Sequence, residues 1–154
     1  MHAKLGCILD SGTLRKYNQI TRRVILERRR VLELVYSNAK TEEQCTSLKA
    51  AKKLFGGNIV LANSLLARIN SLNQAETIKD IIIQPAFHFH NLKNKGGRNL
   101  EGYFAIDVKS RRDQWRIILE PLDENKEPYV PCNIDEISQN VKVVEIMEVS
   151  KHYE

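Results

Sequence analysis

The stretch HFHNLKNKGGRNLEGYF, residues 88–104, holds two histidines, three Lys/Arg and three glycines between apolar ends. His90 falls on what reads as a strand entering a basic turn, with Lys93 and Lys95 at alternating positions and Arg98 beyond them. Further along, Arg116 lies between Trp115 and Ile117 in the alternating run QWRIILEP. If those neighbours point to the core, the guanidinium is left on the solvent face of a strand, where it can grip a phosphate in bidentate fashion. The same chemistry recurs at Lys151, His152 and Tyr153. Cleaving RNA through its own 2′-OH needs a base for that hydroxyl, cations for the phosphorane charge and an acid for the departing 5′ oxygen. His90, Lys93, Arg98, Arg116, His152 and Tyr153 include all three kinds of group. No spacing among them is specific to that reaction, so by themselves they describe a basic surface suited to RNA. The His-x-His spacing of His88 and His90 also suits a metal, but no third ligand accompanies it. A strand histidine is often structural, with one ring nitrogen donating to a backbone carbonyl.

These side chains need a scaffold, and the hydrophobic pattern supplies one. VLELVYSN, residues 31–38, is rich in β-branched and aromatic residues and predicts a strand. In KTEEQCTSLKAAKKLFGG, Thr41 and Gln44 form a capping-box pattern, and Cys45, Leu48, Ala51 and Phe55 recur at near-helical spacing. Gly56 and Gly57 end that helix, and Asn58 caps a second one with a stripe of Ile59, Ala62, Leu66, Ile69 and Leu72. Lys49, Lys52, Lys53 and Arg68 are left for solvent or a ligand. AETIKDIII predicts one helical turn before Pro85. The period then becomes two. FHFHNL, YFAIDVK and WRIILEP read as strands, SRRDQ as a turn, and residues 121–131 as a polar loop. NIDEISQN predicts a helical turn, and the near-continuous apolar run VKVVEIMEVS a central strand. The expected fold is α+β, a helical hairpin packed on a mostly antiparallel sheet of four to five strands.

At 154 residues the chain is long enough for one domain with a real core. No apolar run approaches a membrane span, and the basic N-terminus lacks the apolar core of a secretory signal. Cys7, Cys45 and Cys132 are odd in number and widely spaced, which points to a reducing, cytoplasmic setting rather than a disulfide framework. No CxxC or HExxH spacing occurs, so neither metal nor cofactor is expected. The net charge is +5, and residues 1–33 hold eight Lys/Arg against Asp10, Glu27 and Glu33. Residues 49–116 hold twelve Lys/Arg and five Asp/Glu, whereas residues 117–154 hold three and nine. This segregation suits a polyanion-facing surface, although composition alone favours a solubilising charge mixture. Residues 1–30 show no cap or sustained stripe. They read as a basic extension, either a flexible arm or sequence upstream of the true start, ahead of a domain spanning residues 31–154.

From about Leu34 to Tyr153 the chain resembles the HigB-like toxins of the RelE/ParE superfamily. Five segments in order carry the resemblance: EEQCTSLKAAKKLFG, LLARINSLNQAETIKDI, HNLKNKGGRNLEGYFAIDV, QWRIILEP and VVEIMEVSKHY. The resemblance implies a RelE-like fold. It also implies the toxin half of a type II toxin–antitoxin system, an endoribonuclease that enters the ribosomal A site and cuts mRNA there. Its implied partners are the ribosome, the mRNA and a helix-turn-helix, HigA-like antitoxin. On this match the active-site His falls on His90, the Lys on Lys93, the phosphate-binding Arg on Arg116 after Gln114, and the terminal Tyr on Tyr153. Lys52, Lys53, Lys95, Arg98 and Gln114 are then candidate RNA contacts. The chain departs from the pattern in Asn94, which replaces a glycine, and in its ending His152-Tyr153-Glu154, where some relatives end Asp-Tyr-His. Two other readings remain open: a ParE-like inhibitor of DNA gyrase without nuclease activity, and a degenerate toxin that only binds an antitoxin.

Overall fold

A computed structural model describes residues 31–92, 97 and 99–153. The basic extension, and with it the reading of residues 1–30 as a separate arm, lies outside the described residues. The elements are β1 (Glu33–Tyr36), α1 (Ala39–Thr46), α2 (Leu48–Leu54), α3 (Ile59–Gln74), α4 (Lys79–Ile82), β2 (His90–Asn91), β3 (Phe104–Asp107), β4 (Arg116–Leu122), α5 (Ile134–Ile137) and β5 (Val143–Ser150). A 3-10 turn, Pro85–Phe87, precedes β2. The fold is α+β, with helices on a five-stranded sheet of order β1-β5-β4-β3-β2. β1 runs parallel to β5, and the other three pairings are antiparallel. β5 is an interior strand, bonded to β1 and β4, in keeping with its near-continuous apolar run.

The helical hairpin forms where the sequence predicts it, with three local differences. The Asn38 side chain caps α1 by accepting from the Thr41 amide at 2.9 Å, so the helix begins earlier than a Thr41 cap would allow. The single helix expected to end at Phe55 is two. Ser47 is extended (φ −120, ψ 124), closing α1 and capping α2 through its hydroxyl, which accepts from Ala50 N at 3.3 Å. A serine hydroxyl competes with the helical ladder in this way. Gly56 and Gly57 have φ of 63° and 91°, left-handed values that glycine adopts without a Cβ penalty. The buried face of α3 is Leu61, Ala62, Leu65, Ile69 and Leu72. Ile59 is 43% exposed and Leu66 half-buried, so the stripe is rotated from the one expected. The Asn58 side chain caps the helix by accepting from both Val60 N and Leu61 N at 3.1 Å. Asn58→Ala is expected to cost about 1 kcal/mol, measured by urea unfolding.

The core between α3 and the sheet contains Leu65, Leu72, Ile106, Ile117, Leu119, Val144 and Ile146. The opposite face of the sheet carries a second, smaller cluster. Leu92, Leu100, Ala105 and Ile118 form it, with Tyr103, Met147 and Tyr153 packed against it. Alternation along β3 and β4 thus separates Phe104, Ile106, Ile117 and Leu119 from Ala105 and Ile118. Both faces of the central strands are covered.

A candidate active surface at one end of the sheet

Register assembles the site. Asp107, the last residue of β3, pairs with Arg116, the first of β4, and Arg116 pairs with Ser150, the last of β5. Three strands therefore contribute one row at one end of the sheet. His90 of β2 pairs with Ala105, two residues from that row. His88 reaches it directly, donating from Nδ1 to Asp107 Oδ1 at 3.2 Å.

Arg116 lies on the face opposite the helices, as its alternation predicts, but it does not face solvent. It is 4% exposed and Asp107 is 1% exposed. Its Nε donates to Asp107 Oδ1 at 3.1 Å. Nη1 donates to the carbonyls of Asp113 and Trp115, and Nη2 to the carbonyl of Arg111 at 3.3 Å. Every guanidinium nitrogen thus has a protein acceptor. The expectation of an exposed, phosphate-gripping Arg116 is corrected accordingly. A buried charge must be paired and hydrogen-bonded, and the turn at residues 111–115 turns its carbonyls inward to do so.

The expected strand FHFHNL is mostly not a strand. Pro85 starts a 3-10 turn, and His88 follows in the left-handed region (φ 50°, ψ 49°). That conformation costs a non-glycine residue roughly 1–2 kcal/mol. Three contacts of His88 offset it. Its ring donates to Asp107, it stacks on the His90 ring at 4.4 Å, and its carbonyl accepts from His90 Nδ1 at 2.7 Å. A carbonyl only accepts, so His90 Nδ1 carries a proton, and in the neutral ring the lone pair lies on Nε2. A chain of contacts thus runs from Arg116 through Asp107 and His88 to His90.

Arg68, expected to serve solvent or a ligand, is also structural. Its Nε donates to Val108 O, its Nη2 to Ala86 O and Lys109 O, and its guanidinium lies 4.7 Å from the Phe87 ring centroid. Burial pulls its pKa down, and nearby Asp107 acts against that shift. It clamps the 3-10 turn to the end of β3, fixing both sides of the Asp107 row.

The other candidates divide. His152 is exposed just beyond Ser150, with its backbone N–H on Ser150 Oγ at 3.1 Å. Tyr153 is half-buried and packs on the cluster of Leu92, Leu100, Ala105 and Ile118, beside β2 and β3. Gln114 is exposed in the turn before β4. Lys93, Lys95 and Arg98 lie outside the described residues. Lys52 and Lys53 are exposed on α2. Phe55, at the end of that helix, meets the Trp115 ring edge-on at 4.9 Å, on the helix side of the sheet and away from Arg116.

Sequence reasoning missed Asp107, whose role needed the β3–β4 register. It also read Arg111 and Arg112 only as turn residues. With Lys109 and Lys151 they form an exposed basic rim just beyond the strand ends of the Asp107 row, the Lys151 ammonium lying 5.8 Å from the Trp115 ring centroid. Two adjacent arginines in a strand-connecting turn were the available signal.

Burial pushes the Cys45 thiol up to about 12 and raises Cys132 as well, so both are neutral thiols near pH 7. Among the described residues no three His, Cys, Asp or Glu cluster to hold a metal, and no helix is long and apolar enough to cross a membrane. Comparisons of the chain with known protein families, with curated proteins and with solved structures each found no match.

Proposed function

We propose that this chain is a HigB-like toxin of a type II toxin–antitoxin system, a cytoplasmic endoribonuclease that cleaves mRNA on the ribosome and is neutralised by a helix-turn-helix antitoxin. The observation supporting the reading is one arrangement. The tautomer-fixed imidazole of His90 and the exposed His152 belong to the same sheet end as the rim of Lys109, Arg111, Arg112 and Lys151. In this reading His90 Nε2 takes the proton of a ribose 2′-OH. The freed oxygen attacks the adjacent phosphorus, giving a 2′,3′-cyclic phosphate and expelling the 5′ oxygen, which receives a proton from His152. The basic rim stabilises the charge on the phosphorane. Arg116 serves by positioning His90 through Asp107 and His88, not by gripping phosphate. Tyr153 offers a ring against which a base stacks.

The test is translation of a defined mRNA by purified ribosomes with the protein present, followed by mapping of 5′ ends. Codon-positioned cuts are expected. Tyr153→Ala should slow them about tenfold, since stacking a base on an aromatic ring is worth about 1–3 kcal/mol. Intact mRNA would reject the reading, and inhibited DNA supercoiling in a parallel assay would then favour the gyrase alternative.

A further inference from the structure

Away from the Asp107 row, the loops at residues 99–103 and 128–132 enclose a cavity of about 420 Å³ against the β4 residues Glu120 and Pro121. Its size is within the range of about 300–1,000 Å³ found for small-ligand sites. Two aromatic rings, Tyr103 and Tyr129, line it together with Pro121, Pro128, Val130 and Pro131, and the carboxylates of Glu101 and Glu120 complete it. No Lys, Arg or His lines it among the described residues.

The floor of the cavity is charged in an unusual way. Glu120 pairs directly with Glu145 across β4 and β5, so two like charges face each other on one side of the sheet. Neither carboxylate has a hydrogen-bond or ion-pair partner among the described residues. Burial raises the pKa of Glu120, and Glu145 raises it further. At the mouth, Val130 is 91% exposed.

We propose that this cavity binds the cationic head of an alkyl-guanidinium or alkyl-ammonium ligand. Tyrosine faces attract a cation through their ring quadrupoles, and a half-buried carboxylate adds a charge-assisted hydrogen bond. The prolines and Val130 offer apolar surface to an aliphatic stem. An anion would meet Glu101 and Glu120. A hard divalent ion needs more oxygen ligands than two carboxylates supply. A cation on a carbon chain satisfies the rings, the acids and the apolar rim together. The cavity lining includes none of the residues of the proposed active surface, and this proposal does not depend on that reading.

The test is an NMR titration of the full-length 15N-labelled protein with agmatine, with uncharged n-butylurea as control. Saturable shifts of the Gly102, Tyr103 and Val130 amides are expected with agmatine and not with the urea. Glu120→Gln should weaken binding about tenfold, the loss of one bond to a charged group. Glu148→Gln, on β5 outside the cavity, should leave it unchanged, and each variant's spectrum reports its folding. Tyr129→Leu supplies a second weakened variant that keeps both acids. An arginine-containing capped pentapeptide separates two sources: tighter binding than agmatine marks a protein side chain, and weaker binding a free amine. Absence of saturation, equal response to the urea, or undiminished affinity in both weakened variants would overturn the proposal.

Discussion

Arg116→Ala is expected to destabilise the domain by about 3–5 kcal/mol, the usual loss when one partner of a buried ion pair is removed. Asp107, 1% exposed, would lose the guanidinium from its Oδ1 and be left there with His88, and the inward carbonyls of Arg111 and Asp113 would lose this donor, while that of Trp115 keeps the Val108 N–H. A domain of this size has about 5–15 kcal/mol in total, so the loss is a large part of its stability. Urea unfolding followed by circular dichroism measures it. Arg111→Ala and Arg112→Ala, at exposed positions in the same turn, should each stay within about 0.5 kcal/mol of the parent. A similarly small change for Arg116 would show that its guanidinium faces water, as an alternating strand alone suggests. Loss of RNA cleavage in Arg116→Ala would therefore not identify a phosphate ligand.

Under the proposed function, His90→Gln is expected to reduce ribosome-dependent mRNA cleavage by about 10²- to 10⁴-fold, the contribution of a positioned general base. Glutamine can still donate an amide N–H toward His88 O, so the fold should hold, but no group with a basic lone pair remains at Nε2. Asp107→Asn separates chemistry from positioning. It keeps a carbonyl acceptor for Arg116 and His88 while weakening both bonds. Cleavage should fall by less than in His90→Gln. Full activity in His90→Gln, measured by 5′-end mapping at matched protein concentration, would remove His90 from the reaction.

The helix-on-sheet fold was legible because its signals are local. Apolar periods of 3.6 and 2, the paired Gly56 and Gly57, and the near-continuous apolar run before Ser150 each mark an element without knowledge of its neighbours. Ser47 was misread because a serine within a helical period breaks a helix only where its hydroxyl finds an amide to cap. Arg116 exposes a deeper limit. A period of two assigns a residue to a face, yet it does not say what covers that face. The cover comes from backbone carbonyls of a turn and from a small apolar cluster assembled from four segments of the chain. Asp107 was invisible for the same reason, since an acid in an apolar strand gains meaning only when the register sets it opposite an arginine. The aromatic and acidic walls of the cavity beside Glu120 likewise come from separate loops.

The strand order also governs when the fold can exist. β5 is bonded on both sides, to β1 and β4, yet it is the last strand of the domain. The Ser37 hydroxyl, just past β1, reaches the Met147 carbonyl across 110 residues of chain. During synthesis the β3–β4 hairpin and the helices can form early, but among the described residues β1 has its strand partner only once residues 143–150 emerge. Closure of the core must wait for that event, and pairing over so long a separation is slow. Arg116, Asp107 and Ser150 come into line only at that step. A nascent chain therefore lacks the assembled sheet end while it is still being made, a built-in delay between its synthesis and the appearance of its working surface.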